Sequence, residues 1–236
     1  VVNTLTKEQL AKTIDQTLLS PVATAKDIEQ LCINARKYHF AAVCINPCYV
    51  TQAKKILADS DVKVCSVVGY PLGANTIETK VFEARNNVRN GADELDMVLN
   101  LGAVKSGNYD YVEREIKIVV NVIRREQIAE YNKHINIKVI IETASLNRDE
   151  IKEVCSIIEK SGADFVKTST GFGVRGVELD DIRLIREVVT RNIGVKASGG
   201  IRTFSDAQAL IDAGATRLGT SSGVNIIKEY SAIFDK

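Results

Sequence analysis

The chain has 236 residues, 45% hydrophobic and 26% charged, with 31 basic against 30 acidic side chains. These are the proportions of a globular protein, long enough for one large domain or two small ones, each able to bury a core. A formal charge of +1 with no long basic run excludes the broad basic face that nucleic-acid or membrane-surface binding needs, although it leaves room for a small basic pocket.

In chain order, short β-branched runs alternate with stretches of helical period. Strands are expected at TIDQTLL (13–19), AAVCINP (41–47) and VKVCSVVGYP (62–71). A helix over 75–90 then ends at Gly91, a suitable C′ glycine. Strand DELDMVLN (93–100) precedes a helix over 108–130, IKVIIET (137–143) a helix over 148–161, and DFVKTST (164–170) a helix over 178–191. Strand IGVKASGG (193–200) leads into a helix over 203–213, entered through TFSD with Thr203 or Ser205 as cap, and RLGTSSG (217–223) is the last strand. The segments NGADELDMV, SGADFVKTS and AGATRLGTS each pass from a helix-ending Gly-Ala into a strand, so one connection recurs at 91, 162 and 214. Eight such units predict an α/β fold, a (β/α)8 TIM barrel, and without a composition break residues 1–236 are expected to form one domain. A doubly wound open sheet would favour a glycine fingerprint after the first strand, and IDQTLLSPVAT has none.

Ligands of such a barrel sit at the carboxyl ends of its strands, so polar residues inside the apolar runs carry the interest. Lys167 lies in the sixth strand, Lys196 in the seventh and Asp96 in the fourth. By alternation Lys167 shares a face with Phe165 and Ser169, and Asp96 with Glu94 and Val98. Either these faces converge inside the barrel, or a lysine points outward and snorkels to solvent. For Lys167 to act as a nucleophilic amine, an ordinary lysine pKa near 10.4 must fall by about three units, roughly 4 kcal/mol of bias. A second ammonium about 4 Å away supplies about that much at an effective dielectric near 20, and Lys196 is the candidate. Burial acts in the same sense, and the product is an amine able to form a Schiff base with a carbonyl.

ASGGIR (197–202) and GTSSG (219–223) follow the last two strands, where this architecture repeatedly binds phosphate. Gly199, Gly200 and Gly219 allow close backbone approach, Ser221 and Ser222 add hydroxyls, and Thr170 and Gly171 after the sixth strand complete the expected set. Arg202 either adds charge there or lies on the surface.

The cysteines, Cys32, Cys44, Cys48, Cys65 and Cys155, are odd in number and form no C-x-x-C. They read as reduced thiols, which with the absence of a signal-peptide profile in VVNTLTKEQLAKT or of a long apolar span predicts a cytoplasmic protein. Cys44 is expected to serve packing; if it faces the barrel interior, aldehydes could modify it. His39 and His134 are the only histidines and read as surface or helix-end residues, so no metal site is expected.

Taken together, ELDMVLNLGAVKSG, VIIETASL, GADFVKTSTGFG, VKASGGIRT and RLGTSSG resemble the deoxyribose-phosphate aldolase family of class I aldolases. The likeness extends to IDQTLLSPVAT, VCINPCYV and VCSVVGYPLGA, and so runs through essentially the whole chain. It implies reversible cleavage of 2-deoxy-D-ribose 5-phosphate to acetaldehyde and D-glyceraldehyde 3-phosphate in deoxyribonucleotide catabolism, without metal or cofactor, by a homo-oligomer (dimer or tetramer). By the matching motifs Lys167 forms the imine, Lys196 perturbs its pKa, Asp96 shuttles protons, and Asp15 supports the site. Gln16 departs from the family pattern, where histidine is expected, and cannot titrate near neutrality. The chain also stops soon after EYSAIFDK, where some members continue to a tyrosine that reaches the site; Tyr230 is not assigned that role. Two rivals are a phosphate-binding isomerase or other aldolase with a carboxylate base such as Glu142, and a silent phosphosugar-binding barrel. The first leaves the two lysines unexplained; the second predicts that one would be lost.

Overall fold

Eight parallel strands close on themselves in chain order, so that β1 (Ile14–Leu18) is hydrogen-bonded to both β2 (Ala42–Ile45) and β8 (Arg217–Thr220). Between them run β3 (Lys63–Val68), β4 (Glu94–Val98), β5 (Asn136–Ile140), β6 (Phe165–Lys167) and β7 (Gly194–Ser198). The computed structural model describes residues 5–126 and 134–235. All eight expected strands are present, each ending one to three residues earlier than its apolar run. The residues that follow the last ladder bonds, rather than the strands proper, therefore form the carboxyl-end loops.

Helices cover the outside: α1 (Lys7–Ala11), α2 (Ala25–Tyr38), α3 (Val50–Ile56), α4 (Ile77–Arg89), α5 (Leu101–Lys105), α6 (Tyr109–Glu126), α7 (Arg148–Lys160), α8 (Leu179–Val188), α9 (Phe204–Asp212) and α10 (Gly223–Phe234). The helices expected over 75–90, 148–161, 178–191 and 203–213 appear as α4, α7, α8 and α9. The one expected over 108–130 appears as α6, its last four positions lying outside the described residues. Thr203 caps α9 by accepting from the Asp206 N–H, so Ser205 is not the cap. α2 was not among the expected helices, although Thr24 and Asp27 bracket its start in a reciprocal capping box.

The recurrent Gly-Ala connection is a shared backbone device. Gly91, Gly162 and Gly214 take φ of 110°, 78° and 114° as their helices end, a region costly for residues with a Cβ. The following Ala92, Ala163 and Ala215 are buried as the chain turns into β4, β6 and β8.

The apolar core occupies the layer between barrel and helices, where Ile137, Val139, Val166, Val195 and Leu218 face outward onto Ile116, Val154, Ile158 and Ile185. Inside the barrel, among the described residues, Leu19, Ala42, Cys44, Cys65 and Val67 form an apolar cluster, on the side of β2 and β3. The remaining strands turn charged side chains inward. At the amino-terminal end the Phe165 ring lies across Gly194, with the Arg217 guanidinium 5.5 Å from its centroid.

A Cβ at Gly194 would lie 2.1 Å from Phe165 Cε1, which real contacts do not allow. Gly194→Ala is expected to cost about 1–3 kcal/mol by overpacking, read as a lowered denaturation midpoint; an unchanged midpoint would show that the ring is not held there.

Candidate active site

Strand register brings the charged residues together. Asp96 is paired with Lys138, Lys167 with Lys196, and Lys196 with Arg217 on successive strands. Paired residues on parallel neighbours point to the same face, here the interior. Asp96 is the hub: its Oδ2 accepts from Lys167 Nζ at 2.8 Å and Lys196 Nζ at 2.7 Å, and its Oδ1 from Lys138 Nζ at 2.9 Å. Asp15 accepts from Lys196 at 2.5 Å and from Arg217 at 2.7 Å. Glu94 pairs with Lys138 at 2.6 Å and with Arg217 at 3.2 Å. Three buried carboxylates thus stand among three buried lysines and the partly buried Arg217, an excess of one positive charge, with the exposed Lys63 also 3.3 Å from Glu94. Gly219 belongs to the same arrangement, because a Cβ there would come within 3.0 Å of Lys196 Cε.

Burial opposes the charges of Asp15, Glu94, Asp96, Lys138, Lys196 and Arg217, and their mutual attraction outweighs it. The Asp96 carboxyl is held well below the usual carboxylate range by Lys138, Lys167 and Lys196, and Asp15 is lowered by Arg217 and Lys196. Asp15 and Asp96 hold the Lys196 ammonium above the usual lysine value, and Asp96 and Glu94 do the same for Lys138. At neutral pH Asp96 is therefore a carboxylate and Lys196 an ammonium.

Two corrections to the simple two-amine picture follow. Lys167 and Lys196 are neighbours, but a carboxylate oxygen lies between them, so repulsion between bare ammoniums is only part of the electrostatics. The amines are also unequal: Lys167 touches one carboxylate, Lys196 two, and Lys138 three, counting Asp15 at 3.9 Å. Lys138, Glu94 and Arg217 were missed as site residues. Lys138 carried the same signal as Lys167, a lysine inside an apolar strand.

A cavity of about 340 Å³ opens above this network, and Lys167 is the one member of it that lines the wall. Gly171 and Thr170 line it from the loop after β6, Gly199, Gly200 and Arg202 from that after β7, and Gly219 and Ser221 from the end of β8. Gly199 and Gly200 have φ of 89° and 82°, and Gly199 packs so tightly on Gly176 that a Cβ on either would meet backbone within 2.9 Å. Ser222 does not line the cavity; it precedes α10 and donates its N–H to Thr220 Oγ1. Asp15, Asp96 and Lys196 lie beneath the floor, fully buried. Tyr70, also unforeseen, walls the cavity from the loop after β3.

Several open sequence questions close here. Gln16 turns away from Asp15, donates to the Ser221 carbonyl at 2.9 Å and accepts the Gly223 N–H at 3.0 Å, so it ties β1 to the loop after β8. The Tyr230 hydroxyl is bonded to the Leu5 carbonyl, outside the cavity lining. Cys44 does face the barrel interior, 3.8 Å from Asp96, but it is fully buried beneath the cavity and absent from its wall. Glu142 binds Thr170, whose N–H and hydroxyl both donate to its Oε2, while its Oε1 is buried without a hydrogen-bond partner. His39 is an exposed helix-end residue and His134 is exposed, and each contacts an aspartate. Among the described residues the two possible metal-ligand groups are Cys44/Cys65/Asp96 and Asp15/Cys65/Glu94. Their carboxylates already serve lysines and Arg217, so a cation would enter a positive field.

Residues 9–229 match the family model described as DeoC/LacD family aldolase. The chain belongs to that family. This aldolase is 54% identical over 224 residues to the deoxyribose-phosphate aldolase of Thermoanaerobacter sp. (strain X514), covering 95% of this chain and 98% of that one. Identity is also 54% over 221 residues to the enzyme of the same name from Caldanaerobacter subterraneus subsp. tengcongensis, covering 94% and 93%. The tetrameric deoxyribose phosphate aldolase of Aeropyrum pernix superposes with a TM-score of 0.87 at 34% identity, over 97% of this chain and 93% of that one. No helix among the described residues is long and apolar enough to cross a membrane.

The network sets a pH window for stability. The lowered carboxylates contribute stability that is present above their unfolded values near 4 and lost as pH falls through the folded ones. The raised lysines contribute stability present below about 10.4 and lost as pH climbs through the folded values. The melting temperature of the aldolase is thus expected to hold between about pH 5 and 10 and to fall on both sides. Lys138→Met leaves Glu94 and Asp96 under-compensated and is expected to cost about 3–5 kcal/mol in chemical denaturation; a loss below about 1 kcal/mol would show that the pairs are not coupled.

Proposed function

We infer that this chain is a class I aldolase that reversibly cleaves 2-deoxy-D-ribose 5-phosphate to acetaldehyde and D-glyceraldehyde 3-phosphate, the activity named by its relatives. One observation carries the residue assignment: of the buried amines, Lys167 alone borders the cavity, with Asp96 and Lys196 directly behind it.

In the proposed reaction Lys167 Nζ attacks the aldehyde carbon C1 of the open-chain sugar. The carbonyl oxygen takes up protons and leaves as water, giving a protonated imine. That imine is an electron sink. The products have two and three carbons, so the C2–C3 bond breaks and its electron pair flows into the imine to form an enamine. The C3 hydroxyl loses its proton and becomes the aldehyde of glyceraldehyde 3-phosphate. Protonation of the enamine at C2 and hydrolysis then release acetaldehyde and restore the amine. The Lys196 ammonium is the available acid and the Asp96 carboxylate the available acceptor, working through water, while Asp15 holds Lys196 in place. The imine supplies the electron sink that a metal would otherwise provide.

The phosphate is assigned to the part of the cavity lined by Gly171, Gly199, Gly200, Gly219 and Ser221, with Arg202 as a cation on the same wall; Ser222, whose N–H is given to Thr220, drops out of the expected set, and Thr170 contributes as a lining residue. The isomerase alternative loses ground because Glu142 does not line the cavity, and it leaves the two lysines without a role. We further read residues 1–236 as one cytoplasmic barrel domain that self-associates, as the Aeropyrum relative does.

Borohydride reduction in the presence of acetaldehyde is expected to fix a two-carbon adduct on Lys167, identified by peptide mass mapping; an adduct confined to another lysine refutes the assignment. Lys196→Leu should stay folded and lose about 100-fold or more of its turnover. Retention of near-wild-type rates would remove Lys196 from the chemistry.

A further inference from the structure

The turn after β6 carries Thr170, Gly171 and Phe172 into the cavity wall, three to five positions beyond Lys167. Glu142 holds it from below, through the Thr170 N–H and hydroxyl. Tyr70 holds it from across the cavity mouth. The Tyr70 hydroxyl donates to the Thr170 carbonyl at 2.6 Å, and its ring meets Phe172 edge-on, centroids 5.6 Å apart with 88° between planes. Within the turn, the Phe172 N–H donates to Thr170 Oγ1 at 3.0 Å. Gly171 has φ of 94° with nothing within 4 Å of a Cβ position, so neighbours do not pack the turn into its shape from that side. Its shape comes from these bonds. Burial pushes the Tyr70 phenol up, so it remains a donor through neutral pH.

We propose that Tyr70 is a specificity-determining positioning residue, whose hydroxyl sets the 170–172 turn at the spacing from Gly199 and Gly200 that accepts a phosphate-terminated substrate. It touches neither Lys167 nor the proton carriers through any hydrogen bond, so its influence falls on recognition of the far end of the substrate rather than on the imine. The inference rests on the aldolase reading and adds a residue outside the phosphate loops.

The test is Tyr70→Phe, which keeps the ring and its edge contact and removes one hydrogen bond. Steady-state cleavage is measured with 2-deoxy-D-ribose 5-phosphate and with unphosphorylated 2-deoxy-D-ribose, alongside borohydride trapping with acetaldehyde. KM for the phosphorylated sugar is expected to rise about three- to tenfold, with kcat within about twofold. Selectivity, the ratio of kcat/KM for the two sugars, should fall by the same factor as KM rises. A purely structural role predicts equal losses on both sugars with a lower melting temperature, and that result overturns the proposal, as does an unchanged ratio. Trapping separates the two readings: absence of a Lys167 adduct in the unsubstituted enzyme defeats the aldolase assignment itself, whereas adducts in both proteins with unchanged selectivity defeat only the role of Tyr70.

Discussion

The Asp96 carboxylate makes the interior of this barrel possible. Three lysine ammoniums share its two oxygens. Each ion alone would cost several kcal/mol to bury. Together, with Asp15, Glu94 and Arg217, they compensate one another in a space that barrels of this kind usually fill with branched apolar side chains. The interior is therefore held by charge on the side of β4 to β8 and β1, and by small apolar groups on the side of β2 and β3. Ion pairs of this type add little net stability over an apolar filling. Their value here is that they place an amine, an acid and a carboxylate within bonding distance without leaving that placement to mobile loops.

The loops above complete the division of labour. The Gly176–Gly199 contact locks the loop after β6 to that after β7, and Gln16 locks β1 to the loop after β8. Gly171, Gly199 and Gly200, all at positive φ, line the cavity with backbone. In the proposed reading the chemistry is built on strands and the recognition on bonded turns.

The eight strands were legible because both faces of each are covered, which leaves nearly continuous apolar runs in the sequence. Lys167, Lys196 and Asp96 were legible for the same reason, as charges interrupting those runs. Lys138 interrupts one equally, near its start, and the register with Asp96 shows it to be inside. Glu94 falls on the Asp96 face by alternation, but its partners Lys138 and Arg217 come from other strands and are seen only once the barrel closes. Tyr70 gave no sequence signal: its partner is the Thr170 backbone carbonyl, one hundred positions away. The functions of Gln16 and Cys44 depended on which face each occupies, and a one-residue difference in strand register reverses that.

The charge count bears on the proposed reaction itself. Among the groups inside the barrel, with Lys167 as an ammonium, Lys138, Lys167, Lys196 and Arg217 give four positive charges against the three of Asp15, Glu94 and Asp96; with Lys167 neutral they balance. The protonated imine occupies the position of the ammonium with the same charge, so its formation asks for no rearrangement of Asp96 or Lys196. The enamine, by contrast, carries no charge on that nitrogen and restores the balance. In the proposed reaction, carbon–carbon cleavage therefore moves an electron pair onto the one positive charge left over, because Lys138, Lys196 and Arg217 already balance Asp15, Glu94 and Asp96. Those groups are bonded in place, so the change asks for no reorientation of solvent around them. A further carboxylate beside that nitrogen would oppose the same electron flow. In the proposed mechanism the leftover charge therefore sits on the amine that faces the cavity, the one with a single carboxylate partner.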